Sequence, residues 1–570
     1  MDLRMMVADL VAKAATAAFP QAELSAGRIA PMLELPPDAK LGDFAFPCFQ
    51  LSKTLRMGPP QIAQQLHQHI DAPDIATAQV VGGYLNLFLN RETLSSQTLA
   101  AIGAAGDQWG GSESGRGKTV CLDYSSINIA KRFHIGHLST TAIGNSLRRI
   151  YDMLGWRTVG INHLGDWGTQ FGKMIAAYQH WGSKEQIEQG GVQALSELYV
   201  RFHEEEKLNP ALEDEGRQWF KRIEDGDEEA LSIFNWFKEL TLKDAARVYD
   251  ILDVTFDSYA GESFYNDKMD RVIDELRAKG LLVESDGAWV VDLEAHGMPP
   301  CLILKSDGAT LYATRDIAAA LYRKDHYHFD KSLYVVAYQQ DLHFRQVFKV
   351  LELMGYEWAK DELEHVSFGM ISYEGEALST RKGNVVYLDE LLSRAQEKAL
   401  GIMEEKTPDL DNKEQIARQV GVGSVIFFDL YNSRIKDIDF RWDRALNFDG
   451  ETGPYVQYTH ARCCSVLRRA GEVAATPDYS ALTDDEALAL LKLLALFPEA
   501  VAEAAHRNEP SIVTRATTEI AKAYNKYYYE HRILGDDEAA TAARLALTRA
   551  AQQVIRTGLY LIGMQAPEQM

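Results

Sequence analysis

The stretch Ser125–His137 reads S-S-I-N-I-A-K-R-F-H-I-G-H and decides the fold of the chain. Before it, Thr119–Asp123 (T-V-C-L-D) is a short apolar run typical of a buried strand. After it, Leu138–Met153 has helical periodicity that closes at Gly155. The motif therefore lies where a strand passes into a helix, the position at which α/β sheets bind nucleotides.

Two histidines flank a glycine at this junction. A helix start offers unpaired backbone N–H groups and the positive end of the helix dipole to a phosphate. Gly136, between His134 and His137, would let a ligand approach the backbone without a side chain in the way. The alternative is a strand, a loop and a helix with two incidental histidines, and the tetrapeptide H-I-G-H alone does not exclude it.

The composition indicates a multidomain globular protein. The 570 residues exceed what one hydrophobic core serves, and no uninterrupted apolar stretch is long enough to span a bilayer. The first residues, which include Asp2 and Asp9, predict an amphipathic helix rather than a targeting leader. A formal net charge of −23 argues against non-specific binding of nucleic acid over the whole surface, although it allows a local basic groove.

The cysteines and the acidic runs carry simple interpretations. The cysteines are odd in number and lack a C-x-x-C pair, which predicts a reducing cytoplasm and no zinc site. They are Cys48, Cys121, Cys301, Cys463 and Cys464. The acidic clusters between Glu204 and Glu229 predict a solvated helix face.

The pattern along the chain predicts four blocks. They are an N-terminal α+β domain (1–115), a parallel-sheet domain (116–388) with a helix-rich insertion (181–300), a helical connector (389–450) and a C-terminal helical bundle (451–570). Gly110–Lys118 (G-G-S-E-S-G-R-G-K) reads as a flexible linker. Further sheet strands are expected at 156–163, 333–338 and 365–371.

From Leu388 onward the pattern is helical. Helices are predicted at 389–405, 414–432, 455–470, 484–507, 512–533 and 537–562. In the fifth of these, Tyr524–Arg532 (Y-N-K-Y-Y-Y-E-H-R) mixes aromatic and basic residues. Such residues can stack on RNA, but tyrosines buried within a bundle explain the pattern equally well.

A second motif follows the last expected strand. Ala377–Val386 reads A-L-S-T-R-K-G-N-V-V, with hydroxyl side chains, two cations and a glycine. These groups suit a loop that neutralises the charge of a leaving pyrophosphate. A loop with Arg and Lys is common on any surface. This loop indicates a phosphate-binding role mainly because it lies far downstream of the histidine motif, after the last expected strand.

With these motifs the chain resembles the class I arginyl-tRNA synthetases. The resemblance rests on the histidine motif and on six further segments in the family's order, namely I-N-H-L-G-D-W-G-T-Q-F-G (161–172), Y-A-G-E-S-F-Y (259–265), L-Y-A-T-R-D-I-A-A-A (311–320), V-A-Y-Q-Q-D-L-H (336–343), L-S-T-R-K-G (378–383) and G-P-Y-V-Q-Y-T-H-A-R (453–462). It implies a Rossmann-like catalytic core and an ATP-dependent ligase that charges tRNA(Arg) with L-arginine. A cytoplasmic monomer without a membrane partner is expected.

The resemblance assigns ATP to the two signature motifs. It implies that His134 and His137 hold the phosphates and adenosine, with Gly136 beneath the nucleotide. The second motif would contribute Ser379, Thr380, Arg381 and Lys382. Magnesium is expected to arrive with ATP and to have no dedicated protein site.

The resemblance also points to residues for arginine. Glu262 and Asp316 would meet the guanidinium group, with Tyr312 beside them, because paired carboxylates suit its planar fork. Partners of the α-amino and carboxylate ends would be Asp123, Ser126, Asn128 and Gln340. Taken singly, Glu262 could simply lie in a turn and Asp316 could cap a helix.

For tRNA the resemblance implies two surfaces. Tyr84 and Asn86 of the first block would contact the D-loop corner through a stacking ring and a base-reading amide. The bundle would bind the anticodon stem and loop, with Tyr455, Tyr458 and Arg462 on its first helix. An ordinary Tyr–Asn pair on a strand is the alternative for the first surface.

Several positions depart from the family pattern, among them Thr380, Ile127, Arg132 and the segment Ser139–Thr141. Thr380 stands where many class I synthetases have a lysine, and Lys131 would supply the missing charge, which makes it a candidate catalytic residue beside His134 and His137. Ile127 and Arg132 stand where proline is frequent. These changes leave open a catalytically idle relative that binds tRNA or regulates, and a synthetase for another amino acid is a weaker alternative.

Overall fold

The computed structural model describes residues 3–305, 310–376, 385–471 and 475–570. Within them the fold is α/β, with a parallel sheet between an N-terminal α+β domain and a C-terminal helical bundle, which confirms the predicted fold class. Four of the predicted ATP-binding residues, Ser379, Thr380, Arg381 and Lys382, lie outside the described ranges. No helix within those ranges combines the length and apolar character that a membrane crossing needs.

The N-terminal domain is a small sheet packed against helices. Its elements are α1 (Leu3–Ala18), α2 (Ala26–Ile29), β1 (Phe44–Pro47), α3 (Ser52–Leu55), α4 (Pro59–Gln68), β2 (Ala76–Val81), β3 (Tyr84–Leu89) and α5 (Arg91–Ala105). The sheet is antiparallel with β3 in the centre. Leu85, Leu87 and Leu89 alternate along β3 and are buried on its core face.

The parallel-sheet domain is interrupted by an insertion. In chain order it contains β4 (Thr119–Asp123), α6 (Leu138–Met153), β5 (Arg157–Ile161), α7 (Thr169–Trp181), α8 (Lys184–Leu208), α9 (Ala211–Glu224), α10 (Glu228–Leu252), α11 (Met269–Ala278), β6 (Leu282–Ser285), β7 (Ala288–Val291), β8 (Cys301–Leu304), α12 (Tyr312–Tyr327), β9 (Lys331–Tyr334), α13 (Asp341–Leu353) and β10 (Leu363–His365). The parallel sheet has the order β10-β9-β4-β5. Strand β4 has parallel neighbours on both sides and ends at Asp123, and the carboxyl ends of such strands are where ligands of α/β sheets bind.

The insertion is not helical throughout. Its last part contributes β6 and β7 to a three-stranded antiparallel sheet, β6-β7-β8, whose third strand directly follows the insertion. The expectation of a helix-rich stretch did not include this sheet. The turn between β6 and β7 is formed by Asp286 and Gly287, both with positive φ. An Asp-Gly pair between two apolar runs is a strong hairpin signal, so this sheet was readable from the sequence.

Two loops also differ from expectation. The predicted linker is fixed, because Trp109 is buried with its Nε1 donating to the Leu494 carbonyl at 2.9 Å and Gly115 N donates to the Leu154 carbonyl at 2.9 Å. The strand expected at 365–371 is divided between β10 and the next strand. Gly369 separates them, and a Cβ there would lie 2.3 Å from the Lys436 carbonyl oxygen.

The remaining chain is mainly helical, as predicted. It contains β11 (Ile371–Tyr373), α14 (Leu388–Lys406), α15 (Lys413–Leu430), β12 (Ile438–Phe440), α16 (Trp442–Ala445) and the bundle helices α17 (Gly453–Ala470), α18 (Asp485–His506), α19 (Ser511–Glu530) and α20 (Glu538–Leu561). The tyrosine-rich segment is partly buried, as one of its two interpretations predicts, while the interpretation as an RNA contact stays a prediction. Tyr524 and Tyr527 are buried in the bundle, whereas Tyr529 is 73% exposed.

Candidate functional site

The turn between β4 and α6 has an unusual backbone that its neighbours hold in place. Ser125, Ser126 and Ala130 all have positive φ. Such conformations are costly for residues with side chains and persist only where surrounding contacts impose them. Here Ser125 N donates to Thr140 Oγ1 at 3.0 Å, and Ala130 N donates to Thr241 Oγ1 at 2.9 Å. Helices α6 and α10 therefore fix the loop from two sides.

The two histidines lie against each other at the start of α6. Their ring centroids are 4.0 Å apart, Gly136 N donates to His134 Nδ1 at 3.1 Å, and His134 N donates to His137 Nδ1 at 3.2 Å. Burial lowers the pKa of His137 to about 3, and the pKa of His134 lies below its usual value because of burial and the charge of Lys131. Both rings are neutral at pH 7. The bond from Gly136 N to His134 Nδ1 favours the proton on Nε2 of His134, which is left to donate to a ligand, whereas His137 Nδ1 lies near both the N–H and, at 3.3 Å, the carbonyl oxygen of His134.

The chain that follows the second motif returns to this turn. Ile135 N donates to the Val386 carbonyl at 2.9 Å, and Leu388 N donates to the Phe133 carbonyl at 2.9 Å. An antiparallel bridge joins His134 to Tyr387. The described residues after position 384 are thus attached to the histidine motif.

The departures from the family pattern are accommodated structurally. Ile127 is buried, and its carbonyl accepts a hydrogen bond from Gly165 N at 2.9 Å. Arg132 makes ion pairs with Asp389 and Glu390 at the start of α14, both at 3.0 Å. Lys131 is exposed, and its charge acts on both histidines.

Glu262 begins a short helical turn whose position depends on a close approach. A Cβ on Gly261 would lie 2.6 Å from Asp166 Oδ1 and 2.6 Å from the Leu164 carbonyl oxygen. Buried Asp166 accepts from Ser263 N at 2.8 Å, so it anchors the residue next to Glu262. The Glu262 carboxylate is 16% exposed and lies 3.5 Å from the guanidinium of Arg315.

Asp316 lies on the first turns of α12 between two histidines. Its Oδ2 is 2.6 Å from His343 Nε2, and its Oδ1 is 4.0 Å from His163 Nε2. Burial alone would raise the pKa of Asp316, but the hydrogen bond from His343 and the charges of both histidines and Arg323 hold it below the usual value. Asp316 therefore stays ionised over the whole neutral range.

Both oxygens of Asp123 have partners within the protein. Arg323, whose side chain is 1% exposed, approaches Asp123 Oδ2 at 2.8 Å, and Ser126 Oγ donates to Asp123 Oδ1 at 2.9 Å. Arg323 also lies 3.3 Å from His163 Nδ1. Asp123 and Arg323 thus form a buried ion pair beneath the site, and His163, whose pKa is lowered by burial, lies beside it.

The segment 163–166 brings the predicted arginine-binding residues together. His163 lies beside Asp316, the Leu164 carbonyl accepts from Glu262 N at 2.9 Å, and Gly165 forms a bridge with Asn128. Asn128 belongs to the same turn as the histidines, so the carboxylates and the histidine motif border one region. Tyr312 is 66% exposed at the start of α12, and Gln340 is exposed after β9, the strand beside β4.

Sequence reasoning missed the charged residues that hold these groups. His163, Asp166, Arg315, Arg323 and His343 all pair with predicted site residues or with their neighbours. Four of the five lie inside quoted motifs, so a polar residue within a motif was the available signal. Arg323 had no such signal, because it meets Asp123 from 200 positions along the chain.

The two predicted tRNA surfaces differ in accessibility. In the N-terminal domain the ring of Tyr84 makes an edge contact with Phe49, centroids 5.3 Å apart, and Phe49 is 52% exposed. Asn86, in contrast, is only 3% exposed. The surface therefore presents two rings, and the amide lies beneath it.

On the bundle, an arginine is surrounded by aromatic rings. The Arg462 guanidinium lies 5.0 Å from the ring centroids of Tyr458 and Tyr528 and 5.2 Å from that of Tyr529. Arg462, Tyr458 and Tyr528 line an open cavity of about 460 Å³ together with Arg468 and Arg469. Tyr455 is half-buried one turn before Tyr458. Rings and cations at one surface groove are suited to unstacked nucleic-acid bases.

Family models match along nearly the whole chain. Residues 98–442 match the catalytic domain of the class I (R) tRNA synthetases. Residues 5–89 match the arginyl tRNA synthetase N-terminal domain, and residues 456–570 match the DALR anticodon binding domain.

Similar sequences and solved structures point to the same family as these models. The chain is 55% identical to an arginine–tRNA ligase of Alkaliphilus metalliredigens over 95% of each chain, and 50% identical to one of Clostridium botulinum over 100% of each. It is similar to the arginyl-tRNA synthetase structure of Thermus thermophilus, with a TM-score of 0.84 and 28% identity over 100% of each chain. The Plasmodium falciparum structure, at 22% identity and a TM-score of 0.81 over 100% of this chain and 99% of that one, has the same fold. The chain belongs to the class I arginyl-tRNA synthetases.

Proposed function

We propose that the region bordered by Glu262, Asp316 and the histidine turn is the site at which this synthetase joins L-arginine to ATP and then charges tRNA(Arg). In the first step the arginine carboxylate attacks the α-phosphorus and pyrophosphate leaves. In the second step a hydroxyl of the terminal ribose attacks the carbonyl carbon and AMP leaves. Neither step needs a protein nucleophile, so the side chains position the reactants and stabilise charge.

ATP is assigned to the turn at the start of α6. His134 and His137 are neutral and contact phosphate or ribose oxygens, His134 by donating from Nε2, and Gly136 leaves the backbone accessible. Lys131 adds a positive charge beside them. Ser379, Thr380, Arg381 and Lys382 are proposed as further ATP contacts from the sequence alone. Magnesium enters with ATP as part of the substrate.

Arginine is assigned to the carboxylates. Asp316 is held ionised by His343 and His163, and Glu262 faces the same region, so the two can meet a guanidinium group from two directions. Tyr312 covers the entrance, and Ser126, Asn128 and Gln340 contact the α-amino and carboxylate ends. Because both Asp123 oxygens are engaged, Asp123 acts by orienting Ser126 and neutralising Arg323.

Transfer RNA is assigned to two surfaces. The rings of Tyr84 and Phe49 stack on a base of the D-loop corner, and Asn86 supports the strand beneath them. The groove around Tyr458 and Arg462, with Tyr455 beside it, takes the anticodon loop. We further propose that the protein acts as a cytoplasmic monomer.

The shared contact of Glu262 and Asn128 with residues 164–165 is the single observation that carries the proposal. Its test is ATP–pyrophosphate exchange with arginine, run with and without tRNA. Exchange that depends on arginine and is lost in His134→Ala supports the assignment. A chain that binds tRNA but shows no exchange under either condition would instead be an idle relative.

A further inference from the structure

Arg132 connects three separate parts of the molecule. Its Nη2 lies 3.0 Å from both carboxylate oxygens of Asp389 and 3.0 Å from Glu390 Oε1, and its Nη1 donates to Gln193 Oε1 at 3.2 Å. The guanidinium also lies over the ring of Tyr387, 3.6 Å from the centroid. Only 16% of the side chain is exposed. The side chain of Arg132 therefore connects the histidine turn to insertion helix α8 and to the start of α14.

The backbone on both sides of this contact is paired as well. Phe133 and Ile135 bond to Leu388 and Val386, so the segments 131–135 and 386–390 are joined by main chain and by the arginine. Arg132 stands directly after Lys131 and two residues before His134. Any loosening of its ion pairs would let both proposed ATP-binding side chains move.

We propose that Arg132 is a positioning residue for the activation step: its side chain holds the turn with Lys131 and His134 against the first turn of α14. The inference rests on the proposed function of that turn. The family frequently has a proline here, which fixes φ; in this chain the contacts of the Arg132 side chain, here called the clamp, hold the backbone instead. Arginine can stack its planar guanidinium on the Tyr387 ring while Nη2 contacts the carboxylates and Nη1 contacts Gln193, a combination that lysine cannot reproduce.

The test compares steady-state pyrophosphate exchange in five variants. Arg132→Ala should lower kcat about 10- to 100-fold, since small displacements of reacting groups cost this much. Its KM for arginine should stay within about twofold of wild type, because the carboxylate region is untouched. Arg132→Lys should recover only part of the loss. Arg4→Ala is the matched control, since Arg4 is 23% exposed and makes one ion pair with Glu499 at 2.8 Å, far from the turn.

Asp389→Asn removes the negative charge that pairs with Arg132. It tests the same contact if Arg132→Ala folds poorly. Asp389→Asn should lower kcat as well, and the double variant should be no worse than Arg132→Ala alone. A kcat within twofold of wild type in both single variants, a raised KM for arginine, or additive losses in the double variant would overturn the inference. An inactive wild type would contradict the proposed function instead.

Discussion

The carboxylate of Glu262 lies 3.5 Å from the guanidinium of Arg315, so the region assigned to the substrate's guanidinium already borders one from the protein. Burial raises the pKa of Glu262 to about 7. The positive charge of Arg315 opposes this rise, and the negative charges of Asp316 and Asp166 add to it. The guanidinium group of a bound arginine would compensate the negative charge of Glu262, which Arg315 compensates only in part.

Arginine binding is therefore expected to depend on pH. Glu262 is mostly protonated at pH 6 and mostly ionised at pH 8, so the KM for arginine should fall by up to about tenfold over this range. The measurement is pyrophosphate exchange at varied arginine concentration. Glu262→Gln should show a high KM for arginine without this pH dependence. If the KM of that variant still fell with rising pH as in wild type, the assignment would be contradicted.

The close approach at Gly261 gives a second prediction. In Gly261→Ala the new Cβ would lie 2.6 Å from Asp166 Oδ1, which must push Glu262 away from its place. We expect the KM for arginine to rise at least about tenfold while the KM for ATP changes little. Gly103→Ala is the control, since its Cβ has open space within helix α5. Equal kinetics in the two variants would show that the position of Glu262 is unimportant.

Lys131 is predicted to replace the cation absent at Thr380. Lys131→Ala should slow adenylate formation about 100-fold, the usual cost of removing one group that stabilises transition-state charge. Rapid-quench measurement of adenylate formation tests this directly. Lys184→Ala, which removes an exposed lysine on α8, should leave the rate unchanged. An unchanged rate in Lys131→Ala would refute the role.

Asp429 predicts a pH-dependent stability. It is buried on α15, its Oδ1 accepts from Ser139 Oγ at 2.7 Å, and its Oδ2 lacks a partner among the described residues. Burial raises the pKa of Asp429 to about 6, so the folded state holds the proton more tightly and stability falls as pH rises from about 4 to about 6.

Asp429→Asn removes this penalty and should raise the free energy of unfolding by about 1–3 kcal/mol at pH 7. The gain should disappear near pH 4, where aspartic acid is protonated in both states. Chemical denaturation at the two pH values measures it, with exposed Asp74→Asn as the control. A gain of equal size at both pH values would contradict the explanation.

The long helices and the order of the core were predictable because their signals are local and repeated. Apolar residues recur at helical spacing through α14 to α20, and each predicted helix lies within three residues of the observed bounds. The division of 365–371 was not predictable in the same way. It depends on the close approach of Gly369 to Lys436, a contact between distant segments.

Within the candidate site, the motif residues were predictable and their supports were not. Asp316 could be named from its motif, yet its pairing with His343 depends on how α12 packs against α13. Asp123 was predicted as a substrate ligand from its motif. Its ion pair with the buried Arg323 could not be predicted, because Arg323 lies on α12, far away in the sequence. Pairing of charges across a core follows from tertiary structure, which local patterns do not encode.

The central claim is that Glu262 and Asp316 bind the guanidinium group of arginine, and citrulline tests it most directly because it has the same shape without the charge. The measurement is the ratio of kcat/KM for arginine to that for citrulline in pyrophosphate exchange with tRNA present. Wild type should favour arginine by at least about 1,000-fold, and Glu262→Gln and Asp316→Asn should each reduce this preference about 10-fold or more. Preference that is unchanged in both variants would contradict the account.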